Sequence, residues 1–331
     1  MVVGGPAIGE EAAEEPRFPT RKGAAVRLFG SPLLWFAIVA VLVAALLPFW
    51  LSGYILGVLT VAYYYGVFSM SWDLLFGYAG EVNFGPTFLI GLGAYSAGML
   101  NNGGYPIWLC IIFGIVIAVL GGLLLALPAL RLRGPYFGLV TLVAVLLLKN
   151  FIVIFAHVTG GEIGMMVQDV LAIDAKPNYW YALAFMVISG IILFGLSRSA
   201  LGLILQASGQ DPIEAQALGF NVVKHKLAAF CVSAAFSGMA GAMMVFYMGV
   251  ASVDTIIDLG IDVQIIIAAV LGGRRTIIGG VIGAIFLIAA TEVLRPLGQL
   301  NTFVVSAVAL AVILFFPDGM LGYFLHKGER E

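Results

Sequence analysis

The stretch IWLCIIFGIVIAVLGGLLLALPAL, residues 107–130, carries no charged, amide or imidazole side chain; its only polar atoms beyond the backbone are the Trp108 indole N–H and the Cys110 thiol. A helix needs about 20 predominantly apolar residues to cross the hydrocarbon of a bilayer. A helix on the surface of a soluble domain would keep one polar face, and this stretch has none. It reads as a transmembrane helix, and that reading sets the class of the whole chain.

The surroundings agree. Of 331 residues, 62% are hydrophobic and 10% charged, with a mean hydropathy of +1.07, whereas soluble domains average about 45–50% and 25%. The 42 glycines are about twice the usual share, as expected where membrane helices pack closely through small residues. A net charge of −2 leaves no footprint for nucleic acid. Cys110 and Cys231 lie in apolar runs, which argues against a disulfide framework. His157, His225 and His326 are scattered without ligand spacing, so no metal site is expected. Residues 1–30 form a polar tail, acidic at Glu10, Glu11, Glu14 and Glu15, then basic at Arg17, Arg21 and Lys22. The first apolar run starts near Leu33 and no small-residue cleavage site follows a short core. A disordered cytoplasmic extension is expected rather than a cleaved signal.

Apolar runs lie near 33–51, 54–76, 84–100, 106–130, 135–157, 179–197, 227–249, 261–273, 276–294 and 300–316. The expected fold is therefore an all-α polytopic membrane protein of about 10 transmembrane helices, some of them short or re-entrant. A single membrane domain covers 31–318, with a loop at 198–226 and a tail at 319–331. The eighth run is short and the ninth follows almost at once, so the pair forms a tight hairpin or a bent element.

Lys and Arg concentrate in cytoplasmic loops, which tests this count. With the N-terminus inside, Arg17, Arg21, Lys22, Arg27, Arg131, Arg133, Arg198, Lys224, Lys226, Arg274, Arg275, Lys327 and Arg330 all fall on one side. Only Lys176 and Arg295 fall outside, and Lys149 lies within a span. Both termini are then cytoplasmic. Reading 54–100 as one discontinuous crossing would put Arg131 and Arg133 outside, so 77–85 is better read as the turn of a hairpin. Charge counting does not set how deep that turn sits.

That turn opens GYAGEVNFGPTFLIGLGAYS, residues 77–96. Gly91, Ala94 and Gly98 recur at helical spacing, as do Gly93 and Ala97, and such small residues let another helix approach. Pro86 suits the first turn of the returning helix. Glu81 and Asn83 remain as polar groups in or near the membrane that need partners or water.

The longest basic loop holds GQDPIEAQALGFNVVKHKLAAF, residues 209–230. Asp211 can cap a helix that has Pro212 at its first position, and Glu214 three residues later makes a capping-box spacing. Gly219 is a natural stop. A short helix of about two turns is expected, either an amphipathic connector or a rigid peg for a cytoplasmic partner. Arg131 and Arg133, in RLRGPYF, read as topology anchors before a break at Gly134 and Pro135.

Here a family resemblance enters. EAQALG (214–219), followed by a basic patch and a new span, resembles the coupling helix of ABC importer permeases. Residues 77–96 resemble the GYxGxxxxGxxxxxGxGAY stretch of branched-chain amino-acid permeases of the LivM/LivH type. LRLRGPYFGLVTL (130–142), TGGEIGM (159–165) and FFPDGMLG (315–322) resemble motifs of the LivM branch, in family order. The resemblance implies a transport subunit without bond chemistry, in which Asp211, Pro212, Glu214, Ala215, Ala217 and Gly219 engage an ATPase. It implies two ABC ATPase subunits, a second homologous permease in a heterodimer and an extracytoplasmic solute-binding protein, with this chain in the inner (plasma) membrane of a bacterium or archaeon and lipid around its spans. No G-x-x-x-x-G-K-[ST] loop occurs, so no cofactor is expected on this chain, and ATP and Mg belong to the partners. Glu81, Asn83, Gly85 and Tyr95 are the candidate pathway residues.

The chain also departs from the family pattern. Glu81, Asn83 and Pro86 stand near positions where relatives often have Gln, Ser and His, and Glu162 follows TGG. Such changes bear on the solute more than on the fold. Branched-chain amino acids lead, with urea or short amides as the alternative.

Three outward-facing acids, Asp254, Asp258 and Asp262, repeat at intervals of four and would align on one helix face, either to dock the binding protein or simply to be solvated. Lys149 and Asn150 are near enough to the outer surface for the Lys to snorkel, and Glu292 invites the same reading. An ion-coupled secondary transporter would need its own ion site at broken helices. The sparse intramembrane acids and the coupling motif argue against it, and no nucleophile, base or metal cluster supports an intramembrane enzyme.

Overall fold

The computed structural model describes residues 32–130 and 136–298, with isolated positions 300, 303, 304 and 307 beyond. The two tails, Arg131 and Arg133, the 315–322 motif and all but those four positions of the tenth expected span lie outside the described residues. The chain divides into two units, residues 1–47 and 48–331. The first contributes the helix α1, Pro32–Leu46.

The second unit begins with α2, Gly53–Asp73, which continues through a π-helical turn, Leu74–Ala79. Then come α3 (Pro86–Asn102), α4 (Ile107–Ala129), α5 (Tyr136–Ile154) and a single turn, α6 (Ala156–Thr159). A two-residue strand β1 (Met165–Met166) precedes α7 (Ala175–Ser197). The 198–226 loop folds into α8 (Ala200–Gln210) and α9 (Pro212–Ala217). Helix α10 (Val222–Met248), strand β2 (Val250–Ala251), α11 (Val253–Ile256), α12 (Leu259–Gly272) and α13 (Ile278–Val293) complete the described chain.

Every expected span that falls on described residues carries a helix, and the protein is an all-α polytopic membrane protein. Among the described residues, 6 helices are long and apolar enough to cross a membrane. Segments Ala37–Phe49 and Ile278–Val293 are shorter apolar helices. The eighth and ninth runs form a tight helical hairpin, α12 to α13, rather than one bent element.

Helix α10 packs against α3 and α4, while α2 packs against α13 and α7. Small residues make the first of these contacts possible. A Cβ on Gly93 would collide with the Gly238 carbonyl oxygen, and one on Gly241 with the Ile90 carbonyl oxygen. Backbones this close gain dispersion over a long seam, which matters where lipid removes the usual hydrophobic drive between helices. The small-residue spacing in residues 91–98 is thus a packing device.

The helix ends fall into two groups. One end gathers the turns before α3, between α7 and α10, and between α12 and α13, with Arg198, Lys224, Lys226, Arg274 and Arg275; we call it the basic end. At the opposite end, β1 pairs antiparallel with β2, Met165 opposite Ala251. There the Asn101 amide donates to the Asp169 carboxylate at 2.9 Å, and the Asp169 backbone N–H returns a bond of 3.0 Å to Asn101 Oδ1.

Candidate translocation and coupling site

The break between α2 and α3 organises the site. Helix α2 ends in the π-helical turn, and Gly80 at φ 71° takes the left-handed cap. Residues 80–85 then run without helical bonding to Pro86, at the first position of α3. Each backbone group in such a stretch needs a partner inside the membrane, and side chains supply several. Asn83 Oδ1 accepts from the Gly85 N–H at 2.9 Å, the Phe84 N–H donates to Thr141 Oγ1 at 3.0 Å, and the Trp72 indole donates to the Asn83 carbonyl at 2.6 Å. Gly85 is required by contact, since a Cβ there would collide with the Thr141 carbonyl of α5.

Two buried carboxylates brace the break from either side. Asp73, 1% exposed at the end of α2, accepts the backbone N–H groups of Arg275 and Ile277, each at 3.1 Å. Both donors sit in the turn between α12 and α13 at φ 64° and 51°. A non-glycine residue in that region is strained, and the carboxylate holds two of them in place. The Arg275 guanidinium in turn donates to the Gly77 carbonyl at 2.8 Å, and the Tyr78 hydroxyl donates to the Arg275 carbonyl at 2.8 Å. The second carboxylate is Asp262, 2% exposed, which accepts from the Thr87 backbone N–H at 2.7 Å and from its hydroxyl at 2.8 Å. It satisfies one of the free N-terminal N–H donors of α3, that of Thr87, where a negative charge also suits the helix dipole.

These contacts set where α3 begins relative to α12. Asp262 precedes the turn at Gly273 by a rise of about 16 Å along α12, roughly half of a 30 Å hydrocarbon core. Thr87 is bonded to it, so α3 begins far inside the basic end. Glu81 lies at the mouth of this segment, half-buried, while Asn83 is 2% exposed. The turn is therefore at the basic end, and residues 80–85 run from it toward Asp262 with Asn83 and Gly85 buried and Phe84 40% exposed.

The 198–226 loop clasps this break. A Cβ on Gly209 would lie 2.6 Å from the Tyr78 carbonyl, so the end of α8 rests directly on the π-helical turn. Lys226, in the first turns of α10, forms an ion pair with Glu81 at 2.6 Å. Between these grips stands α9. Asp211 Oδ1 accepts the N–H groups of Ile213 and Glu214 at 2.8 and 3.0 Å, and Gly219 turns the chain at φ 89°. Only the Asp211 half of the expected capping box forms, because the Asp211 N–H donates to the Ala207 carbonyl of α8 instead. Ala215 is 2% exposed and faces inward; Ile213 and Leu218 are 78% and 75% exposed.

With this arrangement described, comparison with known proteins is informative. The profile of the family described as "Branched-chain amino acid transport system / permease component" matches residues 54–317. The chain belongs to this family. The high-affinity branched-chain amino acid transport system permease proteins LivM of Salmonella typhimurium and Escherichia coli are each 25% identical, covering 86% of this chain and 74% of theirs. The autoinducer 2 import system permease protein LsrC of Enterobacter is 28% identical over 76% of this chain and 74% of its own. No solved structure matches the chain. The protein is thus an ABC importer permease, a multi-pass transport subunit of the inner membrane.

Not all the residues singled out in this permease's sequence come together. Glu81, Asn83 and Gly85 line one segment, but Tyr95 lies more than two turns along α3, 4% exposed. The single face expected for Asp254, Asp258 and Asp262 does not form. The segment breaks at Ile257 between α11 and α12, leaving Asp254 exposed and Asp258 capping Gly260 N–H at 2.7 Å. Asp262 turns inward to Thr87, out of reach of a docking protein. Glu292 pairs with Arg295 at 3.1 Å and also meets the Tyr54 hydroxyl. Asp73 went unnoticed in the sequence, although a lone acid inside an apolar run is itself a signal. Its partners are backbone N–H groups about 200 residues away, and nothing local announces them.

Proposed function

We propose that this chain is the permease subunit of an ATP-driven importer of branched-chain or related small amino acids, with the basic end cytoplasmic. The observation that carries the reading is α9: a capped, exposed helix whose flanks grip the α2–α3 break. A short helix presenting Ile213 and Leu218 to water has the form of a peg for a groove in a partner. In this reading two ATPase subunits bind and hydrolyse ATP with Mg, a second homologous permease completes the pathway, and an extracytoplasmic binding protein delivers the solute.

Lys and Arg distribution supports the orientation, and it puts both termini in the cytoplasm. Asp254 and Glu162, exposed at the opposite end, then face the binding protein. The similarity to LivM over most of both chains supports an amino-acid solute. The similarity to LsrC makes autoinducer 2 the second solute to test, ahead of urea and short amides.

The test is purification in mild detergent followed by reconstitution. An ATPase should copurify, and vesicles should accumulate leucine only with ATP and the binding protein. Uptake that follows an ion gradient with no ATPase present would overturn the proposal in favour of a secondary transporter.

A further inference from the structure

The ion pair between Glu81 and Lys226 joins two segments that the sequence keeps 145 positions apart. One is the non-helical break between α2 and α3, and the other is the second turn of α10, beyond the coupling helix. Their side chains are 18% and 12% exposed, so the pair is largely withdrawn from water. An exposed pair would be worth little, whereas removing one partner of a buried pair leaves an uncompensated charge. Glu81 is also held by its backbone, whose N–H donates to the Leu75 carbonyl at 3.1 Å.

Lys226 is fixed to α9 by a short chain of bonds. The Phe220 N–H donates to the Ala215 carbonyl at 3.2 Å, and Asn221 Oδ1 accepts the Lys224 N–H at 3.0 Å. On the other flank of α9, Gly209 lies against Tyr78 and Gly80 through backbone atoms, with no side chain between them. The coupling helix is therefore connected to the break on both sides, by a steric contact that can push and by an ion pair that can also pull. From Glu81 the break leads through Asn83, braced by Trp72, to Thr87 and its bond to Asp262 on α12.

We infer that the Glu81–Lys226 ion pair is the joint that transmits displacement of the coupling helix to the α2–α3 break, making both residues positioning residues for transport. The inference rests on the function proposed above and assigns a task to a contact within it. Steric contact at Gly209 acts only when the loop moves toward the break. Motion in the return direction requires an attractive link, which the charges provide.

The experiment compares Glu81→Gln, Lys226→Gln and the exchange Glu81→Lys with Lys226→Glu in the complete transporter, reconstituted with its ATPase subunits and binding protein. The quantity read is solute taken up per ATP hydrolysed. Each single variant should insert, retain the ATPase on purification and lose about tenfold in that ratio, within the usual range of coupling between sites. The exchange should restore most of it, because it keeps the pair with its charges reversed; a merely structural role would instead lower the amount of inserted protein and leave the ratio unchanged. Normal ratios in both single variants would overturn the joint. So would an exchange variant no better than the singles, or single variants that lose the ATPase, since Lys226 would then serve docking. A wild-type chain that retains no ATPase would instead sink the underlying function.

Discussion

At Asp262 a single carboxylate decides where a helix begins. Its two bonds to Thr87 satisfy donors that lipid or apolar side chains would leave bare. Replacing it with Leu strands both, at a cost of about 1–3 kcal/mol for the unsatisfied group. Asp262→Asn keeps an acceptor oxygen for one of the two donors and should lose less. Thermal unfolding in detergent is expected to rank wild type above Asn and Asn above Leu; a Leu variant as stable as wild type would remove Asp262 from this role. Asp73 acts on the same principle, holding two strained residues of the α12–α13 turn by their N–H groups. Neither acid could be assigned from its neighbours in sequence, because Asp73 finds its partners in the distant α12–α13 turn and Asp262 finds its partner at the start of α3.

Among the elements, α9, the proposed coupling helix, is the one whose local design can be tested. Its start depends on Asp211, and loss of such a cap costs about 0.5–2 kcal/mol. Its stop depends on Gly219, where the backbone is at φ 89° and a Cβ would meet nothing within 4 Å. Strain, not space, therefore limits substitution there. Gly219→Val should lower ATPase copurification and uptake more than Gly219→Asn, since Asn tolerates the left-handed region and a β-branched residue does not. Membrane insertion should be unchanged in both, as judged by the amount recovered from membranes. Equal uptake in the two variants would count against α9 as the coupling element.

The cap and stop of α9 were legible in residues 211–219 because each is a contact across two or three positions. The clasp around the α2–α3 break was not, since Gly209 and Lys226 are ordinary loop residues until the fold sets them against Tyr78 and Glu81. The three acids at 254, 258 and 262 show the opposite failure. Their spacing invited a single helical face, but the chain turns at Ile257, and the last acid finds a better partner inside.

For the whole molecule, the proposed orientation makes a direct prediction. In a background with Cys110→Ala and Cys231→Ser, Ile213→Cys and Ile173→Cys place thiols at positions 78% and 97% exposed, at opposite ends. A membrane-impermeant thiol reagent should label Ile173→Cys in intact cells and Ile213→Cys only in inside-out vesicles. The reverse pattern would invert the topology and place α9 away from any cytoplasmic ATPase.

The sequence by itself determined the membrane class, the helices and the charge asymmetry of the two ends. Each of these follows from how many apolar residues occur in a row and which residues punctuate them. It also showed the small-residue rows of α3, because helical spacing alone brings Gly93 and Ala97 to one side, where Gly238 and Gly114 approach them; the Gly91, Ala94 and Gly98 row meets side chains such as Ile257 and Met165 instead. Only the tertiary structure decided that α3 starts beside Asp262, about 16 Å along α12 from the Gly273 turn, that Asp73 and Asp262 brace its approach, and that the 198–226 loop holds Glu81. Those features are hydrogen bonds and ion pairs between residues that are far apart along the chain, and only packing against a particular neighbour determines which of several polar residues becomes the partner.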